Sequence, residues 1–193
     1  YAILNHVEII YFQNLFSIPI FTTFLDEKVI KSMEDLVTPR LNQLKFQVEN
    51  YNDYYSNRIV ESDEIQFLLK DLNGYVDNYS KKIEIKINPN KNRINYWVQD
   101  YKFNNFHQSH AHPNSSISGI YYVRANQYAG LLRFKSPNPY PYFWRTEESN
   151  SDFYDILPQR GLLVLFPSYL FHTVLPSKHK DIIRTSFVFN VVK

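Results

Sequence analysis

The chain has 193 residues, a formal net charge of +2, 44% hydrophobic residues and no cysteine. That length and apolar content suit one ordinary domain with a real core and argue against intrinsic disorder. The balanced charge, with no basic block between aromatics, argues against a nucleic-acid-coating role, and the lack of thiols rules out disulfides and thiolate metal ligands.

In chain order, Tyr1 to Asn14 lack an initiating Met and read as a remnant of cloning or gene prediction. Leu15 to Phe24 reads as a strand, with Pro19 pushing it towards a sheet edge. Asp26 is placed to cap a helix whose apolar positions are Val29, Ile30, Met33, Leu36 and Val37. Pro39 breaks that helix or opens another, on which Leu41, Leu44 and Val48 fall at helical spacing. Ser62 is a cap for a further helix striped by Ile65, Leu68, Leu69, Leu72 and Val76. These stripes predict a helical buttress packed on a sheet.

From Lys82 the texture changes. Ile83, Ile85 and Ile87 alternate with Glu84 and Lys86, which predicts a half-buried strand, then a turn over Asn88 to Asn92 and a second strand over Arg93 to Val98. Further strands are predicted over Ile117–Val123, Gly130–Phe134, Gly161–Phe166 and Ile182–Val192. Sixteen Tyr and fifteen Phe suit such β-rich structure. Ser136 to Gln159, rich in Pro and aromatics, reads as a lid or substrate wall, a loop merely packed over the sheet being the alternative. The reading is α+β in a single domain, 1–81 forming a strand plus helical buttress and 82–193 an antiparallel β core.

Histidines point to chemistry. His107, His110 and His112, half of the six histidines, precede the Ile117 strand. Residues two apart on an extended segment project to one side, so His110 and His112 converge as half of a metal site. His172, just past a buried strand, is the distant third ligand. Downstream, Arg184, Ser186, Val188 and Asn190 share one face of a strand, and Ile183, Thr185, Phe187 and Phe189 the other. An Arg and a Ser facing a barrel interior need an anion; a bidentate carboxylate ligand or a protein carboxylate would serve.

The order His110-x-His112, Gly119-Ile-Tyr-Tyr-Val123, Gly130-Leu-Leu-Arg-Phe134, Gly161-Leu-Leu-Val-Leu-Phe-Pro-Ser168, His172-x-Val-x-Pro176 and Arg184-x-Ser186 resembles the Fe(II)/2-oxoglutarate dioxygenases. Within them it is similar to the prolyl-hydroxylase-like group, and most similar to a bacterial and phage branch of oxygenases. The resemblance spans Arg93 to Val192, with a weaker part at Leu15 to Phe21. It implies a double-stranded β-helix (jelly roll), with Fe(II) on His110 and His172, 2-oxoglutarate on Arg184, Ser186 and Tyr122, and O2 as oxidant. Asn190, on the same face, is assigned to the cosubstrate pocket.

His112 departs from the family's His-x-Asp/Glu pattern. Three neutral imidazoles and a 2-oxoglutarate dianion leave an Fe²⁺ complex neutral, where a carboxylate ligand would make it −1 and easier to oxidise. Either His112 is a ligand, or it lies behind the ligands and Asp152, Asp155 or His107 completes the set. Two rivals stand beside the oxygenase: a cupin-like three-His enzyme that does not use 2-oxoglutarate, and a non-catalytic β-sandwich binding module. The prime substrate is read as a small molecule or peptide, and the helical half offers a surface for a homodimer. No apolar run reaches transmembrane length and no signal-peptide layout is present, which predicts a soluble cytoplasmic protein with neither membrane nor nucleic-acid partners.

Overall fold

The computed structural model describes residues 17–49, 52–57, 63–87, 93–137 and 152–192. The expectations placed on Tyr1–Asn14, on Ser62 as a cap, on the 88–92 turn and on most of the Ser136–Gln159 loop lie outside these residues.

Eleven strands lie in two antiparallel sheets among the described residues. The larger contains β1 (Phe21–Phe24), β9 (Leu162–Pro167), β6 (Ser115–Ala125), β11 (Arg184–Val192), β4 (Arg93–Asp100), β3 (Asn52–Asn57) and β2 (Lys45–Glu49), side by side in that order. The smaller runs β5 (His107–His110), β10 (His172–Val174), β7 (Leu132–Lys135), β8 (Phe153–Ile156). This is the α+β, double-stranded β-helix arrangement, with helices α1 (Glu27–Val37) and α2 (Asp63–Lys82) on the outer face of the large sheet.

The alternation along β11 divides the core in two. Phe187, Phe189 and Val191 pack with Tyr121, Leu163 and Leu165 against Met33, Leu36, Ile65, Leu68 and Leu72 of the helices. Val188 turns the other way, joining Ile120, Tyr122, Val164 and Phe166 against Leu132, Phe134 and Ile156 of the small sheet. Both faces of β11 are therefore core. Ile183 is the exception: it precedes the strand and is 39% exposed, not on the apolar face as its spacing suggested.

Gly119 shows how tightly the helix-side layer closes. A Cβ there would stand 2.1 Å from Cζ of the Phe189 ring, which is fully buried and has nowhere to retreat. Overpacking of this kind costs about 1–3 kcal/mol. Gly119→Ala should lower the unfolding free energy by that amount, read as a lower urea midpoint with an unchanged m-value, and an unaltered midpoint would mean the ring can move.

α1 forms as expected. The Asp26 carboxylate accepts from the Lys28 N–H at 2.8 Å, and Val29, Ile30, Met33, Leu36 and Val37 are its buried residues. α2 buries Ile65, Leu68, Leu72 and Val76. β1 lies at the sheet edge, as Pro19 implied.

Three expectations are corrected. The helix read over Leu41, Leu44 and Val48 is a short 3-10 helix (Thr38–Gln43) followed by β2. Three apolar positions cannot separate the two periods, and Lys45-Phe-Gln-Val-Glu49 alternates with period two. The strand read over Ile83–Ile87 is the close of α2. Glu84 takes φ 56°, its N–H bonds to Lys81 O, and the Ile85 N–H bonds to Ser80 O at 2.9 Å, the paired bonds of a Schellman cap. The burial alternation is real, with Ile83, Ile85 and Ile87 half-buried and Glu84 and Lys86 exposed, but these backbone groups serve a helix end. Finally, the 136–159 segment contains β8, pinned to β7 by the bidentate Arg133–Asp155 pair at 2.7 Å.

Candidate metal centre and carboxylate pocket

His110 ends β5 and His172 opens β10, and the two are direct partners in the antiparallel ladder. His112 lies two residues past β5, where its N–H donates to Ser168 O at 2.9 Å and fastens the turn to the end of β9. One nitrogen from each of His110, His112 and His172 lies within 4.8 Å of the others. The ring centroids are 4.2 Å (His110–His172), 4.9 Å (His110–His112) and 5.1 Å (His112–His172) apart.

Two of the rings are oriented unambiguously. His110 Nδ1–H donates to Gln108 O at 2.7 Å, and His172 Nδ1–H donates to Leu170 O at 2.9 Å. A carbonyl can only accept, so in both rings the proton sits on Nδ1 and Nε2 keeps its lone pair. His172 is 2% exposed, with the Phe166 ring edge-on at 4.7 Å. Such apolar walls keep water off one side of the triad.

All these imidazoles are held neutral, the form that binds metal. Burial pushes His112 down to about 4 and His107 down to about 3, each helped by the neighbouring His110. His110 is lowered by burial against its carbonyl bond, and His172 is lowered well below the ordinary value by burial and then by His110. Each folded value is depressed, so the unfolded chain binds protons first as pH falls. Stability is therefore full above about pH 6.5 and declines by up to about 1.4 kcal/mol per pH unit per ring, towards the folded values. Denaturant titrations of the metal-free protein from pH 7.5 to 5 should show that decline; a flat profile would contradict the burial of the cluster.

His107 is present but set apart. It stacks on His110 at 3.9 Å and 14°, yet it is not in the converging group. Asp155 is engaged by Arg133 two strands away from β10. No carboxylate joins the three histidines among the described residues.

The second half of the site is a buried cation. Arg184 is 1% exposed, its Cζ 4.4 Å from the Tyr101 ring centroid and 5.4 Å from that of Tyr122. Ser186 pairs directly with Tyr122 across β11 and β6. Arg184 Nε and Nη1, the Tyr122 hydroxyl and Ser186 Oγ are all buried without a hydrogen-bond partner. Burial raises the Tyr122 phenol against the pull of Arg184, so it stays a neutral donor. Asp100 does not neutralise Arg184: its carboxylate accepts from Thr185 Oγ1–H at 2.7 Å and pairs with Lys102 at 2.5 Å. Orphaned groups of this kind cost several kcal/mol unless an anion enters. A carboxylate ligand fits four orphaned polar atoms that can all donate, the two guanidinium nitrogens being able to do nothing else, and three imidazoles fit a divalent iron.

Asn190 faces the same interior but its side chain goes to protein: Nδ2 lies 3.3 Å from His112 Nδ1 and Oδ1 accepts from Ser118 Oγ–H at 2.7 Å. Tyr101, the platform beneath Arg184, carries no flag in the sequence. Its only signal is that it continues the alternation of Trp97 and Gln99 one residue past β4.

The family described as "Putative 2OG-Fe(II) oxygenase" matches residues 95–190, from β4 to the Asn190 end of β11. No curated protein matches the chain. Among solved structures it is similar to a Pseudomonas putida prolyl-4-hydroxylase, with 15% identity and TM-score 0.71 over 92% of this chain and 94% of that one. It is also similar to a Trichoplax adhaerens prolyl hydroxylase in complex with a hypoxia inducible factor peptide fragment, with 15% identity and TM-score 0.64 over 90% and 82%. A Burkholderia pseudomallei oxidoreductase of the 2OG-Fe(II) oxygenase family gives 13% identity and TM-score 0.58 over 89% and 85%. At these identities the structures speak for the fold. Together with the family match across the strands that carry His110, His112, His172 and Arg184, the chain belongs to the Fe(II)/2-oxoglutarate oxygenases.

Proposed function

We infer that the protein hydroxylates a C–H bond of a peptide or small molecule, holding Fe(II) on His110, His112 and His172 and 2-oxoglutarate on Arg184, Ser186 and Tyr122. The observation that carries this reading is the buried, unneutralised Arg184 with two orphaned nitrogens beside the orphaned Tyr122 and Ser186 hydroxyls. Bound iron with its 2-oxo acid supplies the oxidation: one oxygen of O2 enters the product alcohol, the other enters succinate, and CO2 leaves. The chain's own residues orient and exclude. Arg184 offers its guanidinium N–H groups to the distal carboxylate, with the hydroxyls of Tyr122 and Ser186 completing its hydrogen bonds. Phe134, Phe166 and Trp97 keep the histidines dry, which strengthens every charge interaction inside. A peptide substrate accords with the Trichoplax enzyme, whose structure holds a peptide fragment.

Anaerobic addition of 2-oxoglutarate to the Fe(II) protein should produce a weak visible charge-transfer band, and its absence would sink the reading. The three-histidine set without a carboxylate favours one competitor, a cupin-like enzyme with another substrate. That enzyme would bind metal and show no dependence of any ligand on Arg184.

A further inference from the structure

Of the three converging histidines, His112 alone lacks a backbone carbonyl on its second nitrogen. His110 and His172 point Nδ1 at carbonyls, but His112 Nδ1 meets the Asn190 amide at 3.3 Å. That amide is anchored: Asn190 is the ladder partner of Ser118, whose Oγ is 2.7 Å from Asn190 Oδ1 and 2.9 Å from Ser168 Oγ. All three side chains are buried, Ser168 and Ser118 almost completely. The chain Ser168–Ser118–Asn190–His112 therefore has no access to bulk water at its inner end.

An amide can present either atom to the imidazole. With Nδ2 donating to His112 Nδ1, the neutral ring carries its proton on Nε2, which then cannot bind a metal. Turned over, Oδ1 accepts from Nδ1–H, Nε2 is free, Nδ2 donates to Ser118 Oγ, and Ser118 donates to Ser168. Either hydroxyl of the serine pair can be the donor, so both orders pair His112 Nδ1, the Asn190 amide and the Ser118 hydroxyl. The oxygen and nitrogen of an amide are near-isosteric, so the exchange moves no neighbour.

We propose that Asn190, backed by Ser118 and Ser168, is a positioning residue that sets the tautomer of His112 and so decides whether this histidine serves as the third metal ligand. The relay has two orders, one closed and one open to metal, and metal binding selects the open one. This rests on the metal reading of the triad given above, and it makes the replacement of the family's carboxylate by His112 conditional on one amide.

The test uses Co(II) titrated into the metal-free full chain, read by its visible ligand-field bands and by chelator competition. Asn190→Ala should weaken Co(II) by about 10–100-fold, the usual cost of losing a hydrogen bond behind a ligand. Asn190→Asp, which can only accept, should restore binding to within about threefold of wild type. A merely structural role would not separate the two, since both remove the same amide. Equal losses in both variants, or none in Asn190→Ala, would overturn the proposal while leaving the metal site standing. Wild-type protein that takes no Co(II) would overturn the metal reading itself. Independently of any variant, long-range ¹H–¹⁵N spectra of the Zn(II)-loaded wild type should show His112 protonated at Nδ1; a metal on Nδ1 would also overturn it.

Discussion

Arg184→Met will make the ligand-free protein more stable and deaf to 2-oxoglutarate. The guanidinium is 1% exposed, with Nε and Nη1 unpaired and no carboxylate beside it among the described residues. Two aromatic faces compensate it in part, Tyr101 at 4.4 Å and Tyr122 at 5.4 Å, worth about 2 kcal/mol when desolvated. Desolvation of a buried ion costs several kcal/mol, so the balance is unfavourable, and a methionine of similar volume should add about 1–4 kcal/mol. In the wild type, metal with 2-oxoglutarate at about 100 times Kd should add about 2.7 kcal/mol. In the variant that response should disappear, because losing one side of a buried charge pair costs about 2–5 kcal/mol of affinity, or roughly 30- to 4,000-fold. Denaturant midpoints with and without 2-oxoglutarate read both effects. A destabilised variant that still responds would show that Arg184 serves packing and not a ligand.

His172→Ala and His107→Ala should part company sharply. His172 belongs to the converging group, and its Nδ1 is tied to Leu170 O, so nothing else in the site replaces its Nε2. A four-ligand zinc site is worth about 10–16 kcal/mol, or about 3–4 per ligand, so removing His172 should cost about 10²–10³-fold in Fe(II) or Co(II) affinity. His107 stacks on His110 at 3.9 Å but lies outside the group, and its loss should change affinity less than tenfold. Equal losses in the two variants, read by isothermal titration, would mean that the wrong three rings have been chosen.

The two predictions draw on different parts of the chain's legibility. Period-two alternation along 184–190 divided β11 into an Arg184–Ser186–Val188 face and a Phe187–Phe189 face, and the separation of the two core clusters bears that division out. Asp26 and the α1 stripe were equally readable, because a cap and five apolar positions at helical spacing leave one solution. Where only three positions spoke, as at Leu41, Leu44 and Val48, the period was ambiguous and the helix expectation failed. At Ile83–Ile87 the pattern was right and the structure still differed, since alternation reports which side chains are half-buried and is silent on where the backbone N–H groups bond.

What the sequence by itself determined is the set of groups available: three clustered histidines, a distant fourth, an arginine on an inward face, and no thiol to compete with them. Their chemistry follows from residue type, and local periodicity is enough to point them. Tertiary structure alone decided which of them meet. The pairing of His110 with His172 depends on β5 lying beside β10, and the Arg184 pocket depends on Ser186 standing opposite Tyr122 and on Tyr101 reaching under the guanidinium. The link from Asn190 to His112 joins residues 78 positions apart and rests on the register that sets Asn190 against Ser118. Register is a property of paired strands, so no single strand's sequence carries it, and the orientation of one amide within that register is finer still.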